Sequence, residues 1–306
     1  VARIKILATL KLDESRLPQD GRFKFESEEG DAVSLRVSVL PTVEGEKVVM
    51  RLLEGGAPSF SLEDLGYDAE SVIKIKRVLA RPHGLILLTG PTGSGKTTSL
   101  YTMLNLLNTG EVNISTVEDP VENRIRRINQ TQINPQINFT FAEGLRSLLR
   151  QDPDIVMVGE IRDADTAGIS TNAAMTGHLV LSTLHTNDAS GAIPRLIDLG
   201  AEPFLVASTL ELVIAQRLVR KLCTHCAEAK PTDQNVVNYM IDSVSDHAEK
   251  EFLKSLIRAE TKIAPGCNYC SYTGFSGRIG VYELFAVNDE IRQLILDRAT
   301  AVRIRA

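Results

Sequence analysis

Between the apolar run Leu85-Ile86-Leu87-Leu88 and a helix-like segment stands Gly90-Pro91-Thr92-Gly93-Ser94-Gly95-Lys96-Thr97. It is a G-x-x-x-x-G-K-[ST] pattern in a strand–loop–helix setting, and it restricts the fold more than any other stretch of the chain. Its glycines let backbone N–H groups wrap an anion without Cβ clashes. Lys96 is placed to reach β- and γ-phosphates, and the Thr97 hydroxyl to hold Mg²⁺. The sequence therefore predicts a nucleoside triphosphate site built on residues 90–98, with Thr98 completing the set.

The surrounding pattern supplies a scaffold for such a loop. From about residue 60, strands alternate with helices: a helix over 69–81, strand 85–89, helix 96–108, strand 113–118, an irregular polar stretch 119–138, helix 140–151, strand 155–159, helix 163–176, strand 179–183, and helices near 188–198 and 203–220. This alternation predicts a mostly parallel sheet covered on both faces. Upstream, residues 1–12 suit a short helix. Phe23 and Phe25, then Val33, Leu35, Val37 and Val39, alternate with polar residues as half-buried strands do. Lys47–Leu53 reads as a further strand. On that parity Arg22 and Arg36 point out of the core. Gly55-Gly56-Ala57-Pro58 reads as the linker. The division that follows is 1–56 as a small α/β domain, 57–220 as the nucleotide core, 221–280 as a cysteine-bearing element and 281–306 as a closing helical segment.

A net charge of −5 gives no general affinity for nucleic acid, and no apolar run reaches the roughly 20 residues of a membrane helix. No secretory signal is present. The chain begins with Val1 within an amphipathic pattern and reads as part of a longer protein.

Triphosphate hydrolysis also needs carboxylates. The apolar strand in Asp154-Ile155-Val156-Met157-Val158-Gly159-Glu160 delivers Glu160 at its carboxyl end, where open parallel sheets bind ligands. Glu160 is thus the candidate that orients or deprotonates the attacking water. Glu118 and Asp119, after a neighbouring strand, either hold Mg²⁺ through water, help place the nucleophilic water, or form a polar turn ended by Pro120. His185 lies just past strand 179–183 and fits a γ-phosphate sensor, whereas His178, at that strand's other end, reads as structural. Arginine stabilises the charge that develops on the γ-phosphate. Arg22 and Arg36 are candidates on a separate domain that closes over the nucleotide, although exposed arginines are usually just solvated. The four cysteines form two C-x-x-C pairs, Cys223/Cys226 and Cys267/Cys270, with 40 residues between them. Four thiolates suit tetrahedral Zn²⁺, with the intervening residues forming a helical excursion whose ends return together.

With these residues in view, the chain resembles the secretion-ATPase superfamily of type II secretion and type IV pilus assembly motors. The likeness is carried by Arg16-Leu17-Pro18-Gln19-Asp20-Gly21-Arg22, the phosphate loop, Val117-Glu118-Asp119-Pro120-Val121-Glu122, Arg150 through Asp163, Thr176-Gly177-His178, Ser182 through Asn187, Ala215-Gln216-Arg217-Leu218 and the four cysteines. The resemblance implies an α/β protein with a RecA-like P-loop ATPase domain, a small PAS-like N-terminal domain and a zinc-binding insertion. It implies ATP, Mg²⁺ and Zn²⁺ as ligands, Glu160 as the catalytic carboxylate, Glu118 in the Mg²⁺ and water shell, His185 as γ-phosphate sensor, and Arg22 and Arg36 as arginines that reach the nucleotide. It further implies a homohexamer on the cytoplasmic face of the bacterial inner membrane, held there by a platform protein and other pilus or secretion assembly proteins. The tetracysteine element disfavours the retraction subfamily, and Gly45 through Arg51 with Ser99-Leu100-Tyr101 lean towards pilus extension over type II secretion. A nucleic-acid translocase on the same core, and a zinc-stabilised adaptor without turnover, are the rival expectations.

Overall fold

The computed structural model describes residues 1–26, 32–53, 60–244, 247–256 and 260–305. The linker expected at 55–58 lies outside them. Helix α1 (Ala2–Leu7) packs on a three-stranded antiparallel sheet of β1 (Gln19–Glu26), β2 (Ala32–Thr42) and β3 (Gly45–Leu53). Alternation along these strands sorts their faces. Val37 and Val39 are fully buried against Ala8 of the α1 C-cap and Val48, while Arg22, Arg36 and Arg51 share the opposite face. The helix expected over residues 1–12 stops at Leu7, because Thr9 adopts a positive φ and the chain turns there.

After α2 (Leu62–Leu65) and α3 (Ala69–Leu79) comes the main sheet. Each helix begins on a side-chain cap, Ser61 onto Asp64 N and Asp68 onto Ser71 N, of a kind worth about 1 kcal/mol. The chain continues through β4 (Gly84–Thr89), α4 (Lys96–Leu107), β5 (Ile114–Glu118), β6 (Ile128–Gln132), α5 (Phe141–Leu148), β7 (Ile155–Val158), α6 (Ala164–Met175), β8 (Leu179–Leu184), α7 (Ala192–Asp198), α8 (Pro203–Thr209) and β9 (Leu210–Leu222). A small outlying unit follows, of β10 (Glu228–Pro231), α9 (Gln234–Ser243), α10 (His247–Leu256) and β11 (Glu260–Ile263). Then come β12 (Phe275–Ala286), α11 (Asp289–Leu296) and α12 (Ala301–Arg305).

Among the described residues the main sheet has seven strands in the order β12-β9-β4-β8-β7-β5-β6. All neighbours are parallel except β12, which runs antiparallel to β9. Strands β4, β5, β7 and β8 are buried along their whole length, as a sheet covered on both faces requires. One apolar layer joins β4, β8 and β9 to α6, α7, α8 and α11, and the other joins the sheet to α3 and α4. The α/β class expected from the alternation is the one observed.

Three elements differ from the sequence expectation. Residues 210–220, expected as the second half of a helix, form β9, because Leu212 through Ala215 are buried between β4 and β12 and pair with both. The irregular stretch 119–138 contains β6, the sheet's outer parallel strand. The division drawn at residue 280 cuts through β12, whose pairing with β9 makes it part of the main sheet.

Candidate nucleotide site and tetracysteine centre

The carboxyl ends of β4, β8, β7 and β5 lie side by side, and each delivers one candidate residue. β4 runs into the phosphate loop, whose Gly90, Gly93 and Gly95 all have positive φ, a conformation that side chains disfavour. Gly95 caps the N-terminus of α4, so the loop's amides and the helix dipole converge on the same space. Lys96 is buried, with Nζ 2.8 Å from the Gly90 carbonyl and 3.1 Å from that of Pro91. Burial lowers the Lys96 amine from its ordinary value, and the charge of Glu160 pulls it back up. Residues 92–98 line a cleft of about 510 Å³; Gly90 and Pro91 do not reach its wall and instead supply the carbonyls that hold Lys96.

At the end of β7, Glu160 is only 8 % exposed and faces the same cleft. One of its oxygens lies 2.5 Å from Arg162 Nη2, the other 3.2 Å from His185 Nε2. The strand end is stitched to both neighbours: Gly159 N donates to Val117 O, Ser182 Oγ to Val158 O, and Thr183 Oγ1 to Gly159 O. His185 is exposed to the cleft, and its loop is anchored at Thr186, whose backbone N–H donates to Thr89 Oγ1 at the root of the phosphate loop. His178 instead bonds the Ala173 carbonyl through Nδ1, at the far end of β8.

Glu118, at the end of β5, also lines the cleft but is only 2 % exposed. Thr116 Oγ1 donates to its Oε1 at 2.6 Å and Gln130 Nε2 at 3.0 Å, while Tyr101 donates to Oε2. Burial, together with the Glu118 charge, raises the Tyr101 phenol above its ordinary value, so it stays a donor. These bonds occupy most of the carboxylate's lone pairs. In this arrangement a metal would meet Glu118 through water. Asp119, beside it, is exposed on the cleft wall.

The N-terminal sheet contributes a row of cations. Arg22 lies opposite Arg36, and Arg36 opposite Arg51. Like charges facing one another across strands cost roughly 0.2–1 kcal/mol per pair, so an anion bound nearby would relieve the row. Arg51 lines the cleft; Arg22 and Arg36 do not. Arg22 instead donates through Nη1 to the Val121 carbonyl, just past Glu118, and its buried Nη2 has no partner among the described residues. The sequence reading missed Arg51, as it missed Arg162 and Arg278, which also line the cleft. Arg51 sits on the same strand parity that singled out the other two arginines.

At the end of the β9–β12 hairpin away from β4, the four cysteine sulfurs come within 4.8 Å of one another. Measured separations are 3.9 Å for Cys223–Cys267, 3.9 Å for Cys226–Cys270 and 3.8 Å for Cys267–Cys270. A tetrahedral ion with metal–sulfur bonds of about 2.3 Å sets sulfurs about 3.8 Å apart, so the residues fit zinc. Desolvation pushes the Cys226 thiol up, whereas backbone N–H donation from Cys267 and Gly274 brings the Cys270 thiol below its ordinary value. His225 and Tyr269 stack beside the cluster with ring centroids 4.0 Å apart. Between the two pairs, the β10–β11 ladder returns the α9–α10 excursion to its start.

A family model described as type II/IV secretion system protein matches residues 1–306. The chain is 50 % identical over 299 residues to the type II secretion system ATPase E of Vibrio cholerae, covering 98 % of this chain and 57 % of that protein. It is 46 % identical to the type IV pilus assembly ATPase PilB of Myxococcus xanthus, covering 99 % and 52 %. The chain thus spans little more than half the length of these relatives. Among solved structures, the pilus retraction motor PilT with bound ADP superposes with a TM-score of 0.64 at 27 % identity, covering 92 % of this chain and 67 % of that one.

Proposed function

Because this chain belongs to the type II/IV secretion system protein family, we propose that it is the motor part of a mechanical ATPase that drives assembly of a type IV pilus. The carrying observation is that phosphate loop, Glu160 and His185 meet at adjacent strand ends around one cleft. ATP lies with its phosphates on residues 92–97 at the α4 N-terminus. Glu160 orients and deprotonates the attacking water, His185 reads the γ-phosphate beside it, and Arg51, with Arg36 and Arg22 behind it, approaches from the N-terminal sheet. Thr97, and Glu118 through water, would hold Mg²⁺, which neutralises phosphate charge when bound. Loss of the γ-phosphate frees the arginine-bearing sheet to move against the core, and a homohexameric ring turns that motion into work on a membrane platform protein at the cytoplasmic face of the inner membrane.

We divide the chain into residues 1–56 with the arginine row, the nucleotide core over 57–220, the zinc element over 221–280 and the closing segment over 281–306, with β12, which crosses the last boundary, counted with the core sheet. The tetracysteine centre, holding Zn²⁺, fits extension better than retraction. Type II secretion is a second reading, favoured by the 50 % identity to a type II secretion ATPase. The mildly acidic balance of the chain speaks against nucleic acid as the track. Phosphate release from ATP by the purified chain tests the activity: turnover lost in Lys96→Ala supports it, and turnover that survives this change excludes the loop as the site. DNA stimulation of that rate would favour translocation instead.

A further inference from the structure

The motif Ala215-Gln216-Arg217-Leu218 lies at the middle of β9, and Gln216 is its anomaly. On the same strand face, Leu212 and Ile214 are buried in the apolar layer shared with α4. Gln216 continues that face, yet it is polar and only 2 % exposed. A buried amide is costly unless its atoms are engaged, so a core position of this kind favours an apolar residue.

The contacts of Gln216 converge on the phosphate loop from behind. Its Oε1 accepts a hydrogen bond from Ser99 Oγ at 2.9 Å, and Ser99 is fully buried in the first turn of α4, three residues after Lys96. A methyl group built on Gly95 would stand 2.8 Å from Gln216 Nε2, and one built on Gly90 would stand 2.5 Å from the Gln216 backbone oxygen. Gly90 and Gly95, with φ of 144° and 87°, begin and end the loop. Both therefore lie flat on one residue of the neighbouring strand. From the other side Gln216 pairs with Tyr282 of β12, which stacks on Tyr67 at 3.5 Å and donates to the Leu65 carbonyl. Gln216 itself does not line the cleft.

We propose that Gln216 is a positioning residue for nucleotide binding: its side chain fixes the exit of the phosphate loop at Gly95 and, through Ser99, the first turn of α4, so that the loop amides point at one phosphate position. This rests on residues 90–97 being the phosphate cradle. Gln216 touches no substrate atom, so its loss shows in affinity rather than in the chemical step.

The test uses the full chain and ATP with Mg²⁺, comparing the parent with Gln216→Leu, Ser99→Ala, the double variant and Lys96→Ala. Gln216→Leu is expected to raise the ATP Kd and KM about tenfold while kcat stays within about twofold. Ser99→Ala is expected to weaken binding less, and the double variant to bind no more weakly than Gln216→Leu, because the two side chains act through one bond. Gln216→Leu binding ATP within twofold of the parent overturns the proposal, as does full additivity of the two changes. If Gln216→Leu does not fold, Ser99→Ala decides: unchanged ATP affinity overturns the proposal, and weakened affinity at unchanged kcat supports it. A parent that does not bind ATP, or a Lys96→Ala variant that binds it equally well, overturns the cradle assignment itself and the proposal with it.

Discussion

Arg162 holds a guanidinium nitrogen 2.5 Å from one oxygen of Glu160. The arginine side chain is 60 % exposed, so the pair sits at the rim of the cleft and contributes at most about 1 kcal/mol. That is weak enough for a triphosphate to compete for the guanidinium and release the carboxylate to water. Glu160→Gln keeps the size of the side chain and removes the carboxylate proposed as the base. It is expected to bind ATP within about threefold of the parent while phosphate release falls at least about 100-fold, within the range a general base supplies. Single-turnover phosphate release checks this, and parent-like turnover would remove Glu160 from the mechanism.

Lys96 is held by the carbonyls of Gly90 and Pro91, which open the loop. A charged hydrogen bond is worth about 1.5–3 kcal/mol. Lys96→Ala is therefore expected to weaken ATP binding about tenfold to a hundredfold. The apo melting temperature should hold or rise, since a buried amine is removed. Calorimetric titration beside a thermal melt separates these outcomes.

The arginine row makes a ranking. Arg51 lines the cleft, whereas Arg22 is tied to the Val121 carbonyl. Arg51→Ala should lower kcat about tenfold or more, and Arg22→Ala by less. Steady-state rates at saturating ATP check the order, and a silent Arg51→Ala would show that Arg51 makes no contact with the γ-phosphate during turnover.

One zinc per chain is expected by elemental analysis, falling to none in Cys223→Ser/Cys270→Ser. Chelation should raise hydrogen exchange through residues 221–274 while strands β4, β5, β7 and β8 stay protected. Exchange that rises equally in those strands would show that the centre holds up the whole sheet.

Asp64 and Asp68 are held below 3.8 by backbone N–H donation from Ser61 and Ser71 respectively. Depressed carboxylates stabilise the folded state fully above the unfolded value and lose that contribution as pH falls through the folded one. Stability should therefore decline from about pH 4 downward. Asp68→Asn keeps the helix cap and should flatten that acid limb in urea titrations at pH 3 and pH 6.

The loop and its strands were legible in the sequence because their chemistry is local: Gly90 through Thr97 carries its own pattern, β4 and β7 are short apolar runs, and β5 and β8 are short β-branched and apolar segments, all followed by turn residues. β9 was not. Leu210 through Ala215, apolar but for Glu211, follows α8 without a break, and periodicity cannot tell such a short run from a buried helix. Pairing with β4 and β12, both distant in sequence, decides it. Arg51 was hidden for a related reason: an arginine facing a cleft and one facing water share the same strand parity. The buried partners of Glu118, above all Tyr101, likewise exist only once α4 lies against β5.

The four-sulfur cluster also has a polymer-physics consequence. Cys223 and Cys267 are 44 positions apart, and the chain between them leaves and re-enters the fold at one point. The entropy of closing a loop grows only with the logarithm of its length, about 0.6 kcal/mol for each doubling. With the four sulfurs holding both ends together, a change in the length of the α9–α10 excursion changes the closure cost only by this logarithm. The excursion is thus a segment that can accept new length without disturbing the cleft, none of whose lining residues it supplies.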